Sequence, residues 1–145
     1  MTARNGSADW HGDVRTGSGT ITVGDGVFSG PYSYDARFGE HQGTNPEQLI
    51  AAAQAGCFTM ALASTLATGG HPPELLRTNA TVHLRMQDGA ITLARLAIET
   101  EGRVKGIDEQ QFSQYAEDAK ATCPVARALS GIPEIVLKAT LTHGA

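Results

Sequence analysis

Apolar and polar positions divide this chain into a β-patterned first third, one long apolar run and a mixed second half. Thr20-Ile21-Thr22-Val23 reads as a strand closed by the turn signal Gly24-Asp25-Gly26. Ala8 to Gly12 forms a short strand before it, and Val27-Phe28 and Tyr32-Ser33-Tyr34 bracket Gly30-Pro31 after it. Together these segments predict an antiparallel meander. Asp35 to Gly43 reads as a polar loop. A helix then opens: Asn45 is a good N-cap, Pro46 fits the first helical position, and Gln48 stands where a capping box places its return arm. Glu47 in the first turn suits the helix dipole. The helix runs through Leu49 to Leu62 and beyond, ending near Gly69-Gly70-His71-Pro72-Pro73.

This helix is apolar nearly all round, so it is expected to be central and buried. Its length alone would suit a membrane span. Glu47, Gln48, Gln54 and several Ser and Thr interrupt it, however, and alanine contributes little to insertion. Ala52, Ala53, Ala55 and Gly56 instead permit close approach by another helix. Downstream, Ala80, Val82, Leu84 and Met86 alternate with polar residues as a half-buried strand, and Asp88-Gly89 turns the chain. The alternation that starts at Ile91 and Leu93 has changed phase by Leu96 and Ile98, which predicts a bulge near Ala94-Arg95. Asp108 can cap a second long helix, Pro124 begins a short one that ends near Gly131, and Ile135 to Leu141 alternate as a closing strand. The fold class is α+β.

At 145 residues the chain fits one domain spanning 1–145. Apolar content of 41% and charged content of 18% mark a globular protein. A net charge of −4 gives no electrostatic case for nucleic acid or an anionic membrane. The first residues lack the apolar core of a signal peptide, which sets the expectation of a cytoplasmic protein. In reducing cytoplasm the two cysteines, Cys57 and Cys123, are not expected to form a permanent structural disulfide. They are inert, metal-binding or redox-active. Metal is the weakest of the three, because no Cys-x-x-Cys occurs and no histidine stands near either cysteine at ligand spacing.

Local context separates the two thiols. Cys57 lies in an alanine-rich helix, where a cysteine is ordinarily a small buried hydrophobe with a raised pKa. To react it would need a cation. Cys123 precedes Pro124 at a helix start, where thiolate is favoured. Arg37, by default a solvated loop arginine, is a candidate for the missing cation. Glu47, by default a dipole residue, could hold that arginine by a bidentate pair.

Arg37-Phe38, the run from Gly43-Thr44-Asn45-Pro46 to Ile50, Gly56-Cys57-Phe58-Thr59-Met60-Ala61-Leu62 and Lys120-Ala121-Thr122-Cys123-Pro124-Val125 resemble the OsmC/Ohr family of thiol-dependent hydroperoxide reductases. Trp10-His11-Gly12-Asp13 and Gly17-Ser18-Gly19 are similar to the OsmC branch. The resemblance covers essentially the whole chain, with Ala126 a minor departure from a common serine. It implies antiparallel sheets around a long buried central helix, in an intertwined homodimer with two sites at the subunit interface. It implies Cys57 as peroxidatic cysteine, Cys123 as resolving cysteine, Arg37 as the group that stabilises the thiolate and orients peroxide, and Glu47 as the holder of Arg37. The substrate would be an organic hydroperoxide and the reductant a dithiol, either a lipoylated protein or a small molecule, with no cofactor. A redox sensor or a small-ligand binder on the same fold is the alternative.

Helix geometry adds a condition. Glu47 and Cys57 stand ten residues apart on one straight helix, so about 15 Å separates their Cα atoms at ~1.5 Å per residue. One Glu–Arg pair can hardly reach that thiol within a chain, so a shared site predicts that a second chain supplies one of the two residues.

Overall fold

The computed structural model describes residues 1–143, in two compact units, Met1–Leu49 and the chain from Ile50 onward. The first unit is the expected meander: β1 (Gly6–His11), β2 (Ser18–Val23) and β3 (Phe28–Tyr32), antiparallel in that order. Trp10 pairs across the ladder with Gly19, and Gly19 with Tyr32. The Trp10 and Tyr32 rings meet edge to face at 5.2 Å between centroids. A Cβ on Gly19 would stand 2.9 Å from the Trp10 ring and 2.8 Å from the Tyr32 ring, so glycine is what lets the two rings close over the strand.

Residues 35–38, expected as loop, form a short helix α1 (Tyr34–Phe38) together with Tyr34, expected at the end of the meander. Ser33 caps it by accepting from the Ala36 N–H at 3.1 Å. Five residues are too few to show a helical period, which is why the pattern reads as loop. Asn45 caps the long helix α2 (Pro46–Thr68) as expected, its Oδ1 accepting from the Gln48 N–H at 2.8 Å. Its Nδ2 donates to the Ala36 carbonyl at 3.1 Å and ties α1 to the start of α2.

In the second unit α2 buries one stripe. Gln54, Phe58, Leu62 and Leu66 recur every fourth residue and are all fully inaccessible. Phe58, Leu62 and Leu66 join a core with Leu96 and Ile98 of β5 (Ala90–Arg103) and with Phe112, Ala116 and Ala119 of α3 (Glu109–Thr122). Each large side chain so buried contributes about 1.5–3 kcal/mol. Ala52, Ala53, Gly56 and Met60 of α2 are exposed, so the burial expected all round is one-sided in the single chain. The helix is long and apolar enough to cross a membrane by length and composition alone, yet this stripe is committed to the core.

Strands β4 (Leu75–Gln87) and β5 form a hairpin through Asp88 and Gly89, both at positive φ (50° and 79°), the backbone that a tight two-residue turn requires. Across the hairpin His83 pairs with Arg95 and Leu84 with Leu93. Ala94 is therefore the extra residue of a bulge, at the position where the change of phase predicts one. β4 begins five residues earlier than the alternation suggests. Thr78 is the reason: it takes an inward position although polar, and hydrogen-bonds Thr59 at 2.8 Å and Thr100 at 3.0 Å. β6 (Glu134–Leu141) adds to β5 in parallel, which corrects the expectation of purely antiparallel sheets. The physical cause is the connection: α3 and α4 (Pro124–Ala128) intervene before β6, and a helical crossover returns a strand in the same direction. Asp108 and Gln111 close a full capping box at the start of α3, with bonds of 2.8 and 3.0 Å.

Candidate active site

The first unit pairs Arg37 with Glu47. Arg37 lies in the last turn of α1 and Glu47 in the first turn of α2. The Arg37 Nη2 donates to Glu47 Oε1 at 2.7 Å, and Nε donates to Oε1 and Oε2 at 3.0 and 3.2 Å. The carboxylate is 9% exposed and the guanidinium side chain 39%, so the anchor is buried while the cation reaches outward. Such a fork fixes the guanidinium plane in a way that a single contact would not. The Phe38 ring supports it further, 4.9 Å from its Cζ. Arg37 also lines a cavity of about 360 Å³ walled by Trp10, Val14, Tyr32, Tyr34 and Phe38. The cavity is therefore largely aromatic, with a fixed cation at its edge.

The second unit brings Cys57 and Cys123 together. Both are free thiols. Cys57 sits on α2, half-buried, and Cys123 is fully buried at the junction between α3 and α4. Cys123 and the backbone N–H of Val125 are both near enough to the Cys57 sulfur to bear on its ionisation. Burial pushes the Cys57 thiol up from its ordinary 9.0, and the neighbouring Cys123 sulfur pushes it further. The Val125 N–H bond opposes that rise.

The tertiary structure keeps the raised Cys57 thiol of the local reading but reverses the exposure of the two cysteines. Cys123 does open α4, but it also ends α3, its N–H donating to the Ala119 carbonyl at 2.9 Å. The helix start read from Pro124 is therefore also a helix end, where the dipole has the opposite sign. Solvent reaches Cys57, not Cys123.

Gln54 is a site residue that motif reasoning passes over. It is fully buried, and its Nε2 donates to the Cys123 sulfur at 3.6 Å. Its Oε1 has no hydrogen-bond partner among the described residues. An orphaned buried acceptor costs about 1–3 kcal/mol. The signal in the sequence is periodic: Gln54 occupies the place of an apolar residue in the stripe Phe58, Leu62, Leu66.

The family model described as OsmC-like protein matches residues 39–138. The chain is 40% identical over 127 residues to peroxiredoxin OsmC of Escherichia coli strain K12, covering 87% of this chain and 89% of that protein. It is 32% identical over 101 residues to organic hydroperoxide resistance protein-like 1 of Staphylococcus saprophyticus, covering 66% and 68% of the two. The crystal structure of an organic hydroperoxide resistance protein from Elizabethkingia anophelis superposes with a TM-score of 0.70 at 22% identity, over 99% of each chain.

The adjacency of the thiols has a direct test. Mild oxidation with diamide should convert reduced protein to a form lighter by two hydrogens, with a Cys57–Cys123 linkage in the peptide map. Either single Ser substitution should abolish it. Linkage between chains only would contradict the geometry.

Proposed function

This chain belongs to the OsmC-like protein family, and from that premise we propose that it is a thiol peroxidase that reduces organic hydroperoxides to alcohols. The observation that carries the reading is a solvent-accessible thiol, Cys57, set against a buried second thiol, Cys123, on separate elements of one core. The names of its relatives, a peroxiredoxin and an organic hydroperoxide resistance protein, point the same way. In the proposed cycle the Cys57 thiolate attacks the distal peroxide oxygen. The O–O bond breaks, the departing alkoxide takes a proton to become the alcohol, and Cys57 is oxidised to a sulfenic acid. Cys123 then displaces the sulfenic oxygen, giving a disulfide and water, and an external dithiol returns both sulfurs to thiols.

A thiol raised by burial needs a cation to react at neutral pH. We assign that part to Arg37, held by Glu47 and supplied by a second copy of the chain in a homodimer. The continuous helix α2, which carries both Glu47 and Cys57, supports the requirement for two chains. The exposed small-residue face of α2 suits contact with a partner helix. The aromatic cavity beside Arg37 favours substrates with an apolar body over hydrogen peroxide. A cytoplasmic location and a dithiol or lipoylated reductant complete the reading. The raised Cys57 thiol by itself favours a slower redox sensor, and catalytic turnover separates the two.

Three measurements test this proposal. With excess dithiol, the protein should consume cumene hydroperoxide over many turnovers, with kcat/KM about tenfold or more above that for hydrogen peroxide. Cys57→Ser should lose the activity. A single stoichiometric oxidation without turnover would favour the sensor. Arg37→Met should move the pH inflection of Cys57 alkylation to above the ordinary 9.0, and the unsubstituted protein should inflect lower. The folded variant then keeps a proton that the unfolded chain releases, so its stability is full below 9.0 and falls as pH rises through the folded value. Equal inflections would remove Arg37 from the site. Finally, Glu47→Ala and Cys57→Ser proteins, each inactive, should regain about a quarter of wild-type activity when unfolded and refolded together, because half the dimers then carry one intact site. No recovery would place Glu47 and Cys57 of one site in the same chain.

A further inference from the structure

Gln54 stands in a fully buried stripe of α2, where every other member is Phe or Leu. A leucine there would leave no polar group unmatched. The amide instead donates one N–H to a cysteine sulfur at 3.6 Å, and its Oε1 has no hydrogen-bond partner among the described residues. A neutral thiol is a weak acceptor and does little to offset burying a carboxamide. A sulfur that carries negative charge is a much better one, because charge-assisted hydrogen bonds are roughly twice as strong as neutral ones. The arrangement makes physical sense if Cys123 becomes charged during its working cycle.

We propose that Gln54 is a positioning residue for closure of the disulfide, holding the Cys123 sulfur through its Nε2–H as that sulfur attacks the oxidised Cys57. The inference rests on the peroxidase reading above. In this step the Cys123 lone pair forms the S–S bond while the Cys57 S–O bond breaks. The oxygen leaves as hydroxide and becomes water with the proton given up by Cys123. The Cys57 sulfenic sulfur is reduced and the Cys123 sulfur is oxidised. The same N–H favours Cys123 as the leaving sulfur when a dithiol opens the disulfide. Gln54 lies one helical turn before Cys57 on α2, so one rigid element sets both the oxidised sulfur and the donor that steadies its attacker.

The test is rapid mixing of reduced protein with one equivalent of cumene hydroperoxide and no dithiol. Sulfenic acid is read by dimedone trapping, and disulfide by acid quench and mass spectrometry. In Gln54→Leu the ratio of closure rate to Cys57 oxidation rate should fall about tenfold to a hundredfold, with more trapped sulfenic acid. The Tm of the reduced variant should hold or rise, because leucine completes the apolar stripe. If Gln54→Leu does not fold, Gln54→Met gives the same comparison with an unbranched side chain. A wild-type ratio in a folded variant overturns the role of Gln54 and leaves the peroxidase reading intact. Absence of both sulfenic acid and disulfide in the unsubstituted protein overturns the peroxidase reading, and this inference with it.

Discussion

Packing of the α2 stripe against β5 and α3 sets the position of everything reactive in the second unit. Phe58, Leu62 and Leu66 are buried against Leu96, Ile98, Phe112 and Ala116, so the rotation of α2 about its axis has no freedom. That rotation puts Cys57 at the edge of the buried stripe rather than at its centre, which leaves it half-exposed. The same core fixes the C-terminal end of α3 through Ala119, and Cys123 follows directly. Two thiols distant in sequence meet because the helices that carry them share one core.

Electrostatics divides the work differently. In the first unit a nearly buried carboxylate orients a guanidinium that still reaches solvent. The Glu47 carboxylate is worth placing there only if the arginine must point one way, because burying a carboxylate is costly unless it is paired. In the second unit burial raises the Cys57 thiol, and the Val125 N–H only opposes that effect. Under the peroxidase proposal the two are complementary: a fixed arginine would supply the charge that the raised Cys57 thiol lacks.

Polar groups in buried positions mark where the molecule departs from simple patterning. Thr78 and Thr100 point inward between β4 and β5 and satisfy each other, with Thr59 of α2 joined to them. Among the described residues Gln54 finds a partner for its N–H but none for its Oε1. A closed threonine chain costs little and needs no functional explanation. A half-satisfied amide against a sulfur does, and the two cases are told apart by counting partners.

Much of this protein was legible from local signals. The Asn45 and Asp108 caps, the Asp88-Gly89 turn and the bulge at Ala94 follow from short-range sterics and hydrogen bonding, which a few neighbouring residues determine. The pairing of Arg37 with Glu47 was legible as a possibility of charge and reach. The brief helix α1, the parallel entry of β6 and the inward turn of Thr78 were not, because each depends on what the rest of the chain provides. The two cysteines show the division most clearly. Sequence by itself determined that one lies in an apolar helix and the other beside a proline. Only the tertiary structure decided which is exposed, that they meet, and that Gln54 stands behind Cys123. The reason is physical: a thiol's reactivity is set by its solvent exposure and by the charges and donors within a few ångströms, and those come from residues far away in the chain.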